Sequence, residues 1–94
     1  MRYVFLISFD GTNFCGSQRQ RERRTVQSVL EEAGEKVFSF PVRFVLSGRT
    51  DAGVHAAGQI AHLDGETSIP AHRLREALNR VLPDDVKVLA SAVA

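Results

Sequence analysis

A chain of 94 residues with a single cysteine has room for one compact domain with one core, which excludes two ordinary domains and a large enzyme with its own enclosed cleft. Apolar residues make up 44% and charged residues 24%, near the averages for soluble globular proteins, which excludes a disordered chain. The net charge of +1 is too small to argue for nucleic acid by itself, although Arg19, Arg21, Arg23 and Arg24 are crowded into one short stretch.

No apolar run reaches the roughly 18 residues of a membrane span, and the opening MRYVFLISFDG reads as a strand rather than a signal peptide. Cys15 excludes an intramolecular disulfide and a cysteine-based zinc site and fits a reducing compartment. These features predict a cytoplasmic protein with no membrane segment.

In chain order, Tyr3, Phe5, Ile7 and Phe9 alternate with Val4, Leu6 and Ser8, a period of two that predicts a strand largely buried on both faces. Asp10 and Gly11 form a turn pair that ends it. Residues 13–24 are polar and aperiodic and read as a loop; composition alone leaves open whether its arginines are a solvated surface or a phosphate-contacting patch.

Thr25 reads as a helix N-cap, followed by Val26, Val29, Leu30, Ala33 and Val37 at the spacing of one apolar helical face. Gly34 within that helix costs about 1 kcal/mol relative to Ala, and Pro41 stops the pattern. VRFVLS is a second strand with Val42, Phe44 and Leu46 on one face. Strand character resumes from Gln59 to Asp64, as the second arm of a long hairpin. Ser68 is the expected N-cap of a second helix, with Pro70 in its first turn and an apolar stripe of Leu74, Ala77, Leu78, Val81 and Leu82. Pro83, Asp84 and Asp85 stop it, and VKVLA opens the last strand. Glu31–Glu32 and Asp84–Asp85 read as solvated charges. The order β-α-β-β-α-β predicts an α+β, ferredoxin-like split sandwich: an antiparallel sheet with two helices on one face.

The stretch richest in chemistry is SGRTDAGVHAAGQ, from Ser47 to Gln59. Gly48, Gly53 and Gly58 let the backbone turn or approach a ligand, and strands on either side support the loop. Asp51 can be a nucleophile, a general base or an electrostatic stabiliser, each in its ionised form, which a neighbouring Arg49 favours. The alternative is that Asp51 and Arg49 brace a glycine turn. His55 has the same two readings, structural and functional. His55, His62 and His72 lack metal-ligand spacing, and the loop glycines do not form a Walker or dinucleotide fingerprint opening a helix, so no metal and no cofactor are assigned.

Taken together, FDGTNFCGSQRQ, RTVQSVLEEA, SGRTDAGVHAAGQ and ALNRVLPDDVKV resemble the tRNA pseudouridine synthase I (TruA) family, in order and spacing, from Arg2 to about Leu89. The resemblance implies isomerisation of uridine to pseudouridine at positions 38, 39 and 40 of the tRNA anticodon stem-loop, without cofactor or metal. It implies that Asp51 is the catalytic nucleophile and that Arg49 takes part in flipping the base and pairs with the aspartate. Gly48, Thr50 and His55 match the motif as loop-shaping or RNA-contacting residues, and Arg19, Arg21, Arg23 and Arg24 are placed to meet phosphates. Ser17 stands where the family commonly has Trp. Family members are longer and act as homodimers; residues 1–94 correspond to the N-terminal lobe, without the C-terminal lobe that supplies the rest of the cleft, so the isolated lobe is expected to be inactive.

Two other readings use the same pattern. A non-enzymatic RNA-binding module of this topology would stack bases on sheet aromatics such as Phe5 and Phe44, although the third strand, GQIAHLD, lacks the aromatic run that such modules carry. An anion-binding domain of acylphosphatase type accounts for Arg49 and the glycines but leaves Asp51 unexplained, because a carboxylate repels a bound anion.

Overall fold

Alternation at the start of the chain produces β1, Arg2–Phe9, whose Tyr3, Phe5, Ile7 and Phe9 are buried. The computed structural model describes residues 1–10, 25–47 and 56–94, with the backbone alone at Ala56 and Ala57. Along it follow α1 (Val26–Phe38), β2 (Phe44–Leu46), β3 (Ala56–Asp64), a 3-10 turn (Ala71–Arg73), α2 (Leu74–Asn79) and β4 (Val86–Val93). This is the expected α+β architecture, a four-stranded antiparallel sheet with two helices; the strand order is β2-β3-β1-β4. Because β1 and β2 both run antiparallel to β3, they are parallel to each other, and α1 is the crossover between them.

The core lies between the sheet and the helices. Phe5 and Phe44 meet there with ring centroids 5.4 Å apart, and Tyr3 meets Phe38 edge-on at 6.0 Å. Leu30 and Val26 of α1, Leu74 and Leu78 of α2, Leu63 of β3 and Val86 and Val88 of β4 complete the packing. Each such large side chain contributes about 1.5–3 kcal/mol by leaving water. Both Phe5 and Phe44 are therefore consumed by the core, which removes the stacking platform that the RNA-binding-module reading requires.

Several expectations change in detail. β1 is buried on one face only: Val4, Leu6 and Ser8 are half-buried, because both helices pack on the opposite side of the sheet. Ser68 is not the N-cap of the second helix. Pro70 takes an extended conformation (φ −57°, ψ 141°) that stops helix from starting upstream of it, and the chain enters α2 through the 3-10 turn, where the Arg73 amide donates to the Pro70 carbonyl at 2.9 Å. Val81 drops out of the apolar stripe to an exposed position beyond α2, whereas Leu74 and Leu78 are fully buried. The β2–β3 hairpin is short, pairing Phe44–Leu46 with Leu63–Ala61.

α1 begins as expected. The Thr25 hydroxyl accepts from the Ser28 amide at 3.1 Å, and the Ser28 hydroxyl accepts from the Thr25 amide at 3.1 Å, a reciprocal capping box. It ends at Ser39, which takes a left-handed conformation (φ 66°) and donates its amide to the Glu35 carbonyl at 2.9 Å, two residues ahead of Pro41. Gly34 is explained by packing. A Cβ there would lie 2.5 Å from Val42 Cγ2 and 3.0 Å from Phe44 Cε2, so only glycine lets α1 approach β2 this closely.

Candidate active site

The segment after β1 leaves, and the segment before β3 returns, at one end of the sheet. Phe9, the last residue of β1, is paired with Ala56 at the start of β3 and with Val86 at the start of β4. The Asp10 amide donates to the Asp85 carbonyl at 2.9 Å, tying the exit of β1 to the turn before β4. On the other side of β3, the Ser47 amide donates to the Ile60 carbonyl at 2.8 Å, extending the β2–β3 ladder by one step. Ser47 and Ala56 bound residues 48–55; Asp10 and Thr25 bound residues 11–24.

Gly48, Arg49, Thr50, Asp51 and His55 lie outside the described residues, as do Arg19, Arg21, Arg23 and Arg24. What the structure provides for them is the frame. The connection bearing Asp51 joins β2 to β3, as expected, and is held by ladder pairing on both sides. The connection bearing the arginines joins β1 to α1 and ends on the buried, doubly bonded cap residue Thr25. Elements of the framework thus hold both ends of each segment.

Around this frame, helix side chains reach the backbone of both outer strands. Gln27 and Glu31 of α1 grip Phe44 of β2: Gln27 Nε2 donates to the Phe44 carbonyl at 2.8 Å, and the Phe44 amide donates to Glu31 Oε2 at 3.1 Å. At the opposite edge, Asn79 Nδ2 donates to the Val88 carbonyl at 2.9 Å and the Val88 amide donates to Asn79 Oδ1 at 2.8 Å. Glu31 is buried, which corrects its reading as a solvated charge. Its carboxylate takes the place of a neighbouring strand, satisfying a backbone N–H that an edge would otherwise present. Sequence reasoning missed both grips. The available signal was a polar pair, Gln27 and Glu31, one helical turn apart and directly in line with Gly34 on the same helix face.

Other features of the surface offer less. A groove of about 530 Å³ between α2 and β4 is lined by Arg75, Arg80 and Lys87, but Arg75 Nη1 is engaged with the Leu89 carbonyl at 3.3 Å. Among the described residues no cluster of three or more His, Cys, Asp or Glu is placed to hold a metal ion, and no helix is long and apolar enough to cross a membrane.

The model of the tRNA pseudouridine synthase family matches residues 6–94. The chain belongs to the tRNA pseudouridine synthase family. It is 50% identical over 93 residues to the tRNA pseudouridine synthase A of Prochlorococcus marinus (strain MIT 9211), covering 98% of this chain and 32% of that protein. Against the enzyme of the same name from Thermosynechococcus vestitus it is 50% identical over 91 residues, 97% of this chain and 32% of the relative. For that from Maridesulfovibrio salexigens the figures are 49% over 88 residues, 94% and 32%. The chain thus spans about a third of the length of these curated relatives.

Proposed function

We propose that this chain is the N-terminal, aspartate-bearing lobe of an enzyme that converts uridine to pseudouridine in the anticodon stem-loop of tRNA, at positions 38, 39 and 40. The observation that carries the reading is SGRTDAGVHAAGQ, which lies inside the matched region and runs from the end of β2 into the first residues of β3. The bracing alternative for Asp51 accounts for the turn but not for the family.

The reaction is an isomerisation. The bond from N1 of the base to C1′ of the sugar breaks, the base rotates, and a bond from C5 to C1′ forms; C5 gives up its proton to solvent and N1 gains one. Electrons and atoms balance without an external oxidant or reductant, so the chemistry asks for a nucleophile and for positioning rather than a cofactor. Asp51 is the nucleophile, attacking either the base at C6 or the sugar side. Extruding a stacked base costs a few kcal/mol; Arg49 fills the vacated space and keeps Asp51 ionised. Gly48, Thr50 and His55 shape the loop or contact RNA, while Arg19, Arg21, Arg23 and Arg24 neutralise phosphates. The full protein works as a homodimer in the cytoplasm, and the second lobe completes the cleft.

Substrate assignment is tested by incubating the full-length protein with anticodon stem-loops carrying a single uridine at position 38, 39, 40 or elsewhere in the stem, and mapping pseudouridine. Product confined to the three positions supports the proposal; product at other stem positions, or none at these three, contradicts it.

A further inference from the structure

The strand that feeds the Asp51 loop is the shortest in the sheet and lies at its edge: β2 has three residues, paired on one side with β3. On its outer side stands α1. We infer that Gln27 and Glu31 are positioning residues for the catalytic loop, acting through the backbone of Phe44; this rests on the reading of Asp51 given above.

Three observations converge on it. Gln27 and Glu31 bond both the carbonyl and the amide of the same residue, Phe44, at 2.8 and 3.1 Å, so β2 is hydrogen-bonded along both edges at that point. The two side chains also touch each other, with Gln27 Nε2 3.5 Å from Glu31 Oε2. Gly34, on the same helix face, removes the Cβ that would push α1 away from Val42 and Phe44. Contacts at positions 27, 31 and 34 therefore run along one stripe of α1 and fix how far β2 can slide or tilt. Phe44 is two residues from the end of β2, and Ser47, bonded to Ile60 at 2.8 Å, is the last ladder step before the loop. A tilt of the strand at Phe44 is passed to Ser47 and from there to the root of the loop.

The chemistry of the pair suits this task. Glu31 is buried, and a buried carboxylate is retained only where it is well bonded. An apolar side chain would fill the space but leave the Phe44 amide without a partner, and β2 would lose its outer restraint. Misplacement of a catalytic group by about 1 Å can lower turnover by about 100-fold. The effect belongs in kcat rather than in tRNA affinity, because affinity comes mainly from phosphate contacts elsewhere.

The test uses the full-length protein in four variants, Gln27→Leu, Glu31→Leu, Glu31→Gln and Asp51→Asn, with kcat and KM for tRNA, thermal unfolding, and amide exchange at Phe44. The expected result is a fall in kcat of at least about tenfold for both leucine variants, with KM within about threefold, and faster exchange at Phe44 in Glu31→Leu, which removes the acceptor of that amide. Glu31→Gln should stay within about threefold of the parent in kcat, since its amide oxygen accepts from the same N–H. Should Glu31→Leu fail to fold, Gln27→Leu, at a half-buried position, carries the test. A folded leucine variant with unchanged kcat overturns the inference, and self-association at unchanged kcat would show that the pair only blocks a sheet edge. Turnover retained in Asp51→Asn would instead overturn the reading of the site on which the inference rests.

Discussion

The side-chain amide of Asn79 closes a ring of two hydrogen bonds with the backbone of Val88, at 2.9 and 2.8 Å. This places a side chain where a fifth strand would pair with β4. The adjoining ladder is irregular here: pairing of β1 with β4 shifts between Leu6 and Ile7, opposite the Ala90–Val88 stretch, and such a shift locally disrupts pairing. Asn79→Leu removes both partners of a buried backbone residue and should cost about 1–3 kcal/mol. Urea unfolding would check this; a loss below a few tenths of a kcal/mol would show that water replaces the amide.

Gly34 gives a second prediction, opposite to intrinsic helix preference. On an open helix face Gly34→Ala would stabilise by about 1 kcal/mol. Here the added Cβ would lie 2.5 Å from Val42 Cγ2, so the substitution should destabilise by about 1–3 kcal/mol through overpacking. A rise in Tm on Gly34→Ala would contradict the close approach of α1 to β2.

Thr25 is both fully buried and the start of α1. Thr25→Ala breaks the capping box with Ser28 and should cost about 1 kcal/mol, or up to about 2. Thr25→Ser keeps the oxygen and should recover most of it, as read from denaturant midpoints.

Acid sensitivity follows from Asp64, which pairs with Arg2 across the β1–β3 ladder, Arg2 Nε to Oδ1 at 2.9 Å and Nη2 to Oδ2 at 3.1 Å. The hydrogen bond from Arg2, with the attraction of the same charge, holds the Asp64 carboxyl below its ordinary 3.8, and the same bond raises the guanidinium. A carboxyl lowered on folding stabilises the fold fully above its unfolded value and loses that contribution as pH falls through the lowered one. Asp64→Asn should therefore flatten stability against pH below about pH 4 and leave the slope at neutral pH unchanged. Both side chains are exposed, so the effect is small. An unaltered acid limb in Asp64→Asn would contradict it.

Much of this architecture is written in local periodicity. The odd-numbered apolar residues of β1, the Val26–Val29–Leu30–Ala33 stripe and the Thr25 cap each depend on neighbours a few residues away, and each forms as the pattern dictates. Contacts between distant segments are not written that way. Glu31 beside Glu32 looks like a charged surface until the Phe44 amide, 13 residues on, is brought against it. Val81 looks like a helix position until Pro70 delays the helix and α2 ends at Asn79. For the site, the motif located the Asp51 connection between two strands, because glycines and short polar residues interrupt two apolar runs. Which side chain of that motif performs which step depends on RNA, which leaves no periodic trace in the protein sequence.

The proposed role of Asp51 as nucleophile is tested most directly by single-turnover kinetics on Asp51→Asn in the full-length protein. The variant replaces one carboxylate oxygen by an amide, keeping size while removing the nucleophile. Pseudouridine formation should fall by at least about 1,000-fold, while tRNA binding, dominated by phosphate contacts, should stay within about tenfold of the parent. Pseudouridine formed by Asp51→Asn at a rate near that of the parent would contradict it.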